Sequence, residues 1–290
     1  MMRLEGILTK AIAGFYYVEA GSGVFTCKAK GAFRKNGDKP LVGDRVMIDA
    51  DSCVVTDILE RRNSLLRPPV ANVDRLFIVS SYKTPSPNAL SIDKLTVIAE
   101  QNGIEPVIVF NKSDLGDFDE WIKIYKGAGF RCLTVSAVKQ NGCSEIIPLL
   151  SGGISVFTGN SGVGKSSILN CLLPEQRLKT GEISEKLGRG RHTTRHTELF
   201  KVYGGYVADT PGFSSLDTER TINCEEDNLC DYFREFRDYI ADCQFTSCTH
   251  RVEKGCAVLK AVEQGKISPI RHNSYVTIYN ELKEINKWKK

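Results

Sequence analysis

Residues Phe157–Ser167 read FTGNSGVGKSS. The run ISVFT before the glycines is β-prone, and the segment from Lys165 to about Leu173 is helix-prone. Strand, then Gly-x-x-x-x-Gly-Lys-Ser, then helix turns successive backbone N–H groups toward phosphate oxygens and places a helix N-terminus behind them. Gly159, Asn160, Ser161, Gly162, Val163, Gly164, Lys165, Ser166 and Ser167 are therefore candidate nucleotide-binding residues. Lys165 is expected to reach the β- and γ-phosphates, and Ser166 to ligate Mg²⁺. At average residue usage, a chance match somewhere in a chain of this length occurs about once in a hundred.

Downstream, Asp209-Thr210-Pro211-Gly212 ends the strand-like stretch YGGYVA. Asp209 stands where a second carboxylate on the Mg²⁺ side belongs, and the Gly212 N–H where it meets a γ-phosphate. Between the two motifs lies GRGRHTTRHT (Gly188–Thr197), rich in glycine and charge. A loop that closes on Mg²⁺ and the γ-phosphate needs a threonine here, and Thr193 and Thr194 both qualify. Phe213 follows Gly212 at a position suited to a water-orienting side chain, which phenylalanine cannot be. Hydrolysis is then expected to be slow in isolation, with His192 as the candidate catalytic helper and His196 in reserve.

Upstream, VIVFNKSDLG (Val107–Gly116) is a buried-strand pattern ending in Asn111, Lys112, Ser113 and Asp114. A carboxylate at Asp114 accepts from guanine N1–H and N2–H₂ together, a pair adenine does not offer, so GTP is selected over ATP. Lys112 is expected to pack over the base and Asn111 to brace the neighbouring loops. Ser136-Ala137, after the strand-like RCLTV, matches a loop whose backbone N–H contacts the guanine oxygen. The base reader thus precedes the phosphate loop: the five elements run four, five, one, two, three. Domain termini lie at the surface, often close together, so a cut and rejoined sheet is physically reasonable.

The surrounding chain divides in three. Residues 1–67 hold short β-prone runs (FYYVEA, GVFTCKA, RVMID, CVVTDIL) separated by turn signals, as in a small OB-like β-barrel. LRPPVAN (Leu66–Asn72) reads as a linker. Residues 68–218 alternate strands with helices, an α/β domain with a largely parallel sheet. Residues 219–290 hold two helix-prone stretches, NLCDYFREFRDYI and NSYVTIYNELKEINKWKK, around a cysteine-rich loop. There Cys243, Cys248, His250 and Cys256 supply three thiolates and an imidazole within 14 residues, the donor set of a closed, structural Zn²⁺ site.

Composition narrows the class. The 290 residues are 41% hydrophobic and 26% charged, ordinary for a globular protein. The net charge of +4 is uneven: residues 219–250 carry 3 basic against 8 acidic side chains, residues 251–290 carry 9 against 4. Lys186, Arg189, Arg191 and Arg195 form a basic stretch without an acid, which suits an anionic partner. The start, MMRLEGILTK, lacks the apolar core of a signal peptide, and no run is long enough to span a membrane. A cytoplasmic, monomeric protein with reduced cysteines is expected.

In combination, NKSD before GNSGVGKSS, then GRHTT, DTPGF and the Cys-Cys-His-Cys cluster resemble the small ribosomal subunit-dependent GTPase A family (RsgA) over nearly the whole chain. The resemblance implies an oligonucleotide-binding N-terminal fold, GTP hydrolysis to GDP stimulated by the small ribosomal subunit, a role in its late maturation, and contacts to its rRNA. The rival readings are a passive RNA-binding scaffold, an ATP-using enzyme, and a permuted GTPase acting on another ribosomal or RNA particle. Intact Lys165, Ser166 and Asp209 speak against the first, and Asp114 against the second.

Overall fold

The computed structural model describes residues 2–21, 23–30, 33, 39–66, 68–172, 197–209 and 222–287. Two compact units divide the chain. One joins Met1–Leu76, Cys143–Thr158 and Ser166–Ser214; the other joins Phe77–Gly142, Gly159–Lys165 and Ser215–Lys290.

The first unit begins with five strands: β1 (Arg3–Ile12), β2 (Phe15–Ala20), β3 (Gly23–Ala29), β4 (Arg45–Asp49) and β5 (Val54–Ile58). They pair in the order β1-β2-β3-β5-β4, and β4 returns to β1, closing a barrel. The β3–β5 pair is parallel and the others antiparallel, the arrangement of an OB-type Greek-key barrel. Alternation decides which side chains enter it: Val18 and Ala20 from β2, Cys27 from β3, Val46 and Ile48 from β4 and Val55 from β5 make the core. The sequence named four β-prone runs, and β1 is the fifth strand. Its RLEGILTKAI carries charges and a glycine that mask the alternation, and its partners on both edges impose the extended form.

The stretch expected as a linker is instead largely a hairpin, β6 (Ser64–Leu66) with β7 (Pro69–Ala71). Pro69 opens its strand, where the missing N–H costs least. Strand β8 (Val73–Ser81) then leads through α1 (Ala89–Gln101), β9 (Glu105–Asn111), α2 (Asp119–Gly127) and β10 (Arg131–Thr134). Beyond them come β11 (Ile154–Thr158), α3 (Lys165–Leu172), β12 (Glu198–Val202) and β13 (Gly205–Asp209). LFKVYGGYVAD is a hairpin turning at Tyr203-Gly204, with Leu199 facing Ala208 across it. In the first unit β11 pairs in parallel with β13, which pairs with β12, which meets β1 at Glu198 and Lys10. The Lys10 ammonium lies 3.0 Å from the Glu198 carboxylate, and the Tyr206 hydroxyl donates to Glu19 at 3.0 Å, so the barrel and this hairpin share polar contacts.

In the second unit the order is β10-β9-β8, with β9 and β10 parallel. Helix α1 starts at Asn88, whose side chain accepts from Ser91 N, and ends at Asn102 with Gly103 following at φ 62°. It is buried without a break from Ile92 to Ala99, so it is covered on more than one side. The C-terminal region holds α4 (Arg237–Ile240), α5 (Ala257–Glu263) and α6 (Pro269–Lys287), and it covers α1 with α6 and the 3-10 turn Glu226–Tyr232. Lys94 pairs with Glu281 at 2.6 Å, and Arg234 with Glu100 at 2.5 Å. NLCDYFREFRDYI is not one helix: 3-10 turns at Glu226–Tyr232 and Arg234–Phe236 precede the short α4. Phe233 breaks the run with extended backbone, which lets Phe233 and Phe236 both pack on Tyr275 of α6, their ring centroids 5.2 and 4.9 Å from it.

Candidate nucleotide site and candidate metal centre

Asn111 is the last residue of β9 and is buried. Its Nδ2 donates to Val163 O at 2.8 Å, and its Oδ1 accepts from Ala137 N at 3.2 Å. One side chain thus ties the phosphate loop to the Ser136-Ala137 loop. Two motif glycines meet this framework directly. A Cβ on Gly164 (φ 95°) would lie 2.2 Å from Asn111 Nδ2, and one on Gly159 (φ 139°) would lie 2.1 Å from Val79 O. Only glycine meets both demands, positive φ and close backbone approach.

After Asn111 the chain turns sharply. Lys112 takes φ 64°, and Ser113–Leu115 form a single 3-10 turn that presents Asp114 to solvent. Ser113 N donates to Val135 O at 3.1 Å, fastening the turn to the segment after β10. The Ser136 hydroxyl donates to Asp114 Oδ1 at 2.5 Å. That bond, with help from the charges of Lys139 and Lys112, holds the Asp114 carboxyl below its ordinary range. An ionised acceptor with one oxygen oriented by a hydroxyl is suited to a pair of N–H donors on one edge of a flat base. The Lys112 ammonium donates to Lys83 O at 3.0 Å and to Thr84 O at 2.8 Å.

Lys165 ends the phosphate loop with its ammonium donating to Gly159 O at 2.6 Å and Asn160 O at 3.0 Å. It caps carbonyls of its own loop, and burial pulls its pKa down to about 8. Val163 is buried, while Asn160, Ser161 and Gly162 are exposed. Ser166 and Ser167 stand exposed in the first turn of α3, and Asp209 is the last residue of β13. His192, Thr193, Thr194 and Gly212 lie outside the described residues.

The second cluster is built by the C-terminal region. The ligand atoms of Cys243, Cys248, His250 and Cys256 all lie within 4.8 Å of one another. His250 Nδ1 is 3.5 Å from the sulfurs of both Cys243 and Cys256, and those sulfurs are 3.9 Å apart. A tetrahedron with metal bonds of ~2.3 Å to sulfur and ~2.1 Å to nitrogen has edges of about 3.8 Å and about 3.6 Å. The four donors therefore fit a tetrahedral ion in number and chemistry, and Cys243, His250 and Cys256 also fit it in spacing. Backbone N–H groups support the sulfurs: Ala257 N donates to Cys243 and Leu259 N to Cys256, each at 3.4 Å. His272 Nε2 meets His250 O at 2.8 Å, and the Tyr275 hydroxyl donates to Thr249 O at 2.9 Å. Burial pushes the Cys256 thiol up to about 12 and holds His250 below its ordinary value. A divalent cation favours the deprotonated thiols and the neutral imidazole that such a site requires.

The RsgA GTPase family model matches residues 58–219, and the RsgA N-terminal domain model matches residues 5–53. The chain belongs to the RsgA GTPase family. It is 45% identical over 294 residues to the small ribosomal subunit biogenesis GTPase RsgA of Caldanaerobacter subterraneus, covering 99% of this chain and 98% of that one. It is 46% identical to the RsgA of Geobacillus kaustophilus, covering 97% and 98%. Among solved structures it resembles YjeQ from Thermotoga maritima (TM-score 0.83, 37% identity, 97% and 99% coverage). It also resembles YloQ, a circularly permuted GTPase (TM-score 0.81, 35% identity, 98% and 96% coverage). This RsgA-family chain is a circularly permuted GTP hydrolase.

Within the RsgA frame, the contacts that sequence reading missed are backbone ones. The oxygens of Lys83, Thr84 and Val163 anchor Lys112 and Asn111. A carbonyl leaves no mark in residue type; only the turn-forming KTPSPN after β8 hinted at a shaped loop.

Proposed function

We propose that this GTPase serves late maturation of the small ribosomal subunit, that the subunit stimulates its GTP hydrolysis, and that it contacts the subunit's rRNA. The observation that carries the reading is the near full-length likeness to small ribosomal subunit biogenesis GTPases, joined to an exposed Asp114 carboxylate that Ser136 holds in place. The barrel adds support. Phe15 is exposed on β2 with the Lys28 ammonium 5.5 Å from its ring centre, and Lys10 lies 5.7 Å from that of Tyr17. Aromatic rings on strand 2 beside cations on strands 1 and 3 of such a barrel suit stacking with unpaired bases along a phosphate backbone.

Residue roles follow from the same reading. Asp114 accepts from the guanine edge, Lys112 covers the base face, and the Ser136-Ala137 backbone meets the guanine oxygen. The amides of residues 159–166 hold the phosphates, and Lys165 leaves its loop carbonyls for the β- and γ-oxygens. Ser166 and Asp209 hold Mg²⁺, which neutralises charge on the phosphates when bound. Thr193 or Thr194 and the Gly212 N–H sense the γ-phosphate, and His192 orients the attacking water. That water's oxygen bonds to the γ-phosphorus as the bond to the β,γ-bridging oxygen breaks, giving GDP and phosphate. The cysteine–histidine cluster holds one structural Zn²⁺ per chain. We assign residues 1–67, 68–218 and 219–290 to barrel, GTPase and zinc-bearing domains of a cytoplasmic monomer.

The test is GTP turnover alone, with purified small subunits, and with purified large subunits. Stimulation by small subunits only is expected. Turnover indifferent to small subunits overturns the reading, and stimulation by another particle instead favours a permuted GTPase of different target.

A further inference from the structure

Gly116 closes the turn that carries Asp114, and its backbone is extended (φ 163°, ψ 177°), a conformation open to any residue. Space, not conformation, is what it provides. A Cβ there would lie 2.1 Å from Cζ of Tyr82 and 2.5 Å from its Cε1 and Cε2. The Tyr82 ring is therefore laid directly on the Gly116 backbone. Its other contacts reach the same segment on both sides of the turn. Tyr82 N donates to Asn111 O at 3.2 Å, just before the turn. Its ring meets Phe118, just after the turn, edge-on at 5.6 Å, and Phe118 stacks on Phe110 of β9 at 4.9 Å.

We propose that Tyr82 is a positioning residue for guanine recognition: its ring clamps the turn from Asn111 to Gly116 and so sets where the Asp114 carboxylate stands. Asp114 itself is exposed, and among the described residues the one side-chain bond that fixes it comes from Ser136. A hydroxyl orients the carboxylate without fixing the height of the turn beneath it. The Tyr82–Gly116 contact supplies that restraint, because the ring leaves the backbone no room to move toward it. Tyr82 touches the turn and not the base, so it acts through Asp114. The phenol oxygen is not needed for this; the ring is.

This inference rests on the assignment of Asp114 to the base, and the test separates the two. GDP and inosine diphosphate differ by the exocyclic amino group, one of the two donors assigned to Asp114. The measurement is the ratio of their dissociation constants by titration calorimetry for the full chain and its variants. Wild type is expected to prefer GDP by about ten- to a hundredfold, the loss of one hydrogen bond to a charged acceptor. Asp114→Ala removes the preference; if it does not, the base assignment itself fails. Tyr82→Phe keeps the wild-type ratio. Tyr82→Ala, which removes the ring, and Gly116→Ala, which drives a methyl into it, each lower the ratio by about tenfold. Combining the two adds no further loss, because both act on one contact. If Asp114→Ala collapses the ratio while Tyr82→Ala and Gly116→Ala both preserve it, the positioning role is overturned and the base assignment stands. Should Tyr82→Ala fail to fold, Gly116→Ala decides alone. A general loss of stability would weaken both nucleotides equally and leave the ratio unmoved.

Discussion

Arg271 Nη1 lies 2.6 Å from Asp93 Oδ1, and neither side chain is exposed. The same guanidinium donates to both oxygens of Glu235, at 2.6 and 2.9 Å, and sits 4.7 Å from the centre of the Phe233 ring. Arginine stays charged when buried, and here two carboxylates and an aromatic face take the place of water. The pair joins α6 to α1, so the cysteine-bearing region is fastened to the helix between β8 and β9. Arg271→Met strands Asp93 and Glu235 without a counter-charge and is expected to cost about 3–5 kcal/mol. Asp93→Asn keeps an acceptor for Arg271 and removes a charge whose burial is itself unfavourable, so it costs less. Urea unfolding of the two variants checks the order; equal midpoints would contradict it.

Much of this was legible because phosphate and base recognition demand particular residues at particular spacings. Gly159, Gly164 and Lys165 cannot be exchanged freely, and they stood out. The cysteine–histidine spacing was equally explicit, since a metal needs side-chain donors. What stayed hidden depends on partners distant in the chain. β1 is a strand because β2 and β4 flank it, and the break at Phe233 exists because Tyr275 draws in two phenylalanines. Arg271 and Asp93 are 178 positions apart, and nothing in either local sequence announces the other. The described contacts attach the cysteine-bearing region to α1.

The pH dependence of nucleotide binding follows from Lys165. Burial pulls its pKa from 10.5 to about 8 in the free protein. Between those values the unfolded chain holds a proton that the folded chain has released, so this group makes folding more favourable as pH rises through the window. Bound phosphates do the reverse: their negative charge raises the ammonium pKa, and binding above about pH 8 takes up a proton. GDP affinity is expected to fall by up to about tenfold per pH unit above about pH 8. Calorimetry at about pH 8.5 in two buffers of different ionisation enthalpy measures the uptake directly. Lys165→Arg, which does not titrate there, should show none.

Asn111 offers a sharper test of the loop framework. Its amide donates to Val163 O and its carbonyl accepts from Ala137 N. Asn111→Ala removes both bonds and unties the phosphate loop from the Ser136-Ala137 loop. Two hydrogen bonds at about 1 kcal/mol each correspond to a GDP affinity about thirtyfold weaker. Global stability should change less than affinity, since both loops lie at strand ends. A variant that binds GDP as tightly as wild type would show that the loops hold their places without the bridge.

The cysteine–histidine cluster predicts its own metal. Elemental analysis of the purified chain should return one zinc per molecule, and Cys256→Ser, which removes a buried ligand, should return much less. His250 sits between two contacts from α6, His272 to its carbonyl and Tyr275 to that of Thr249. Opening the cluster therefore loosens more than the loop. In zinc-finger peptides the binding free energy of about 10 kcal/mol or more is folding free energy. A strong zinc chelator, with free Mg²⁺ kept in excess, should accordingly raise amide exchange across Cys243–Cys256 and the facing turns of α6. None of the nucleotide-site contacts made by Lys83, Thr84, Asn111, Val163 and Lys165 involves that segment, so GDP affinity should stay within about threefold. A zinc-free chain with the same exchange pattern as untreated protein would remove the metal assignment. Loss of GDP binding on chelation would show instead that the base-reading half depends on the metal.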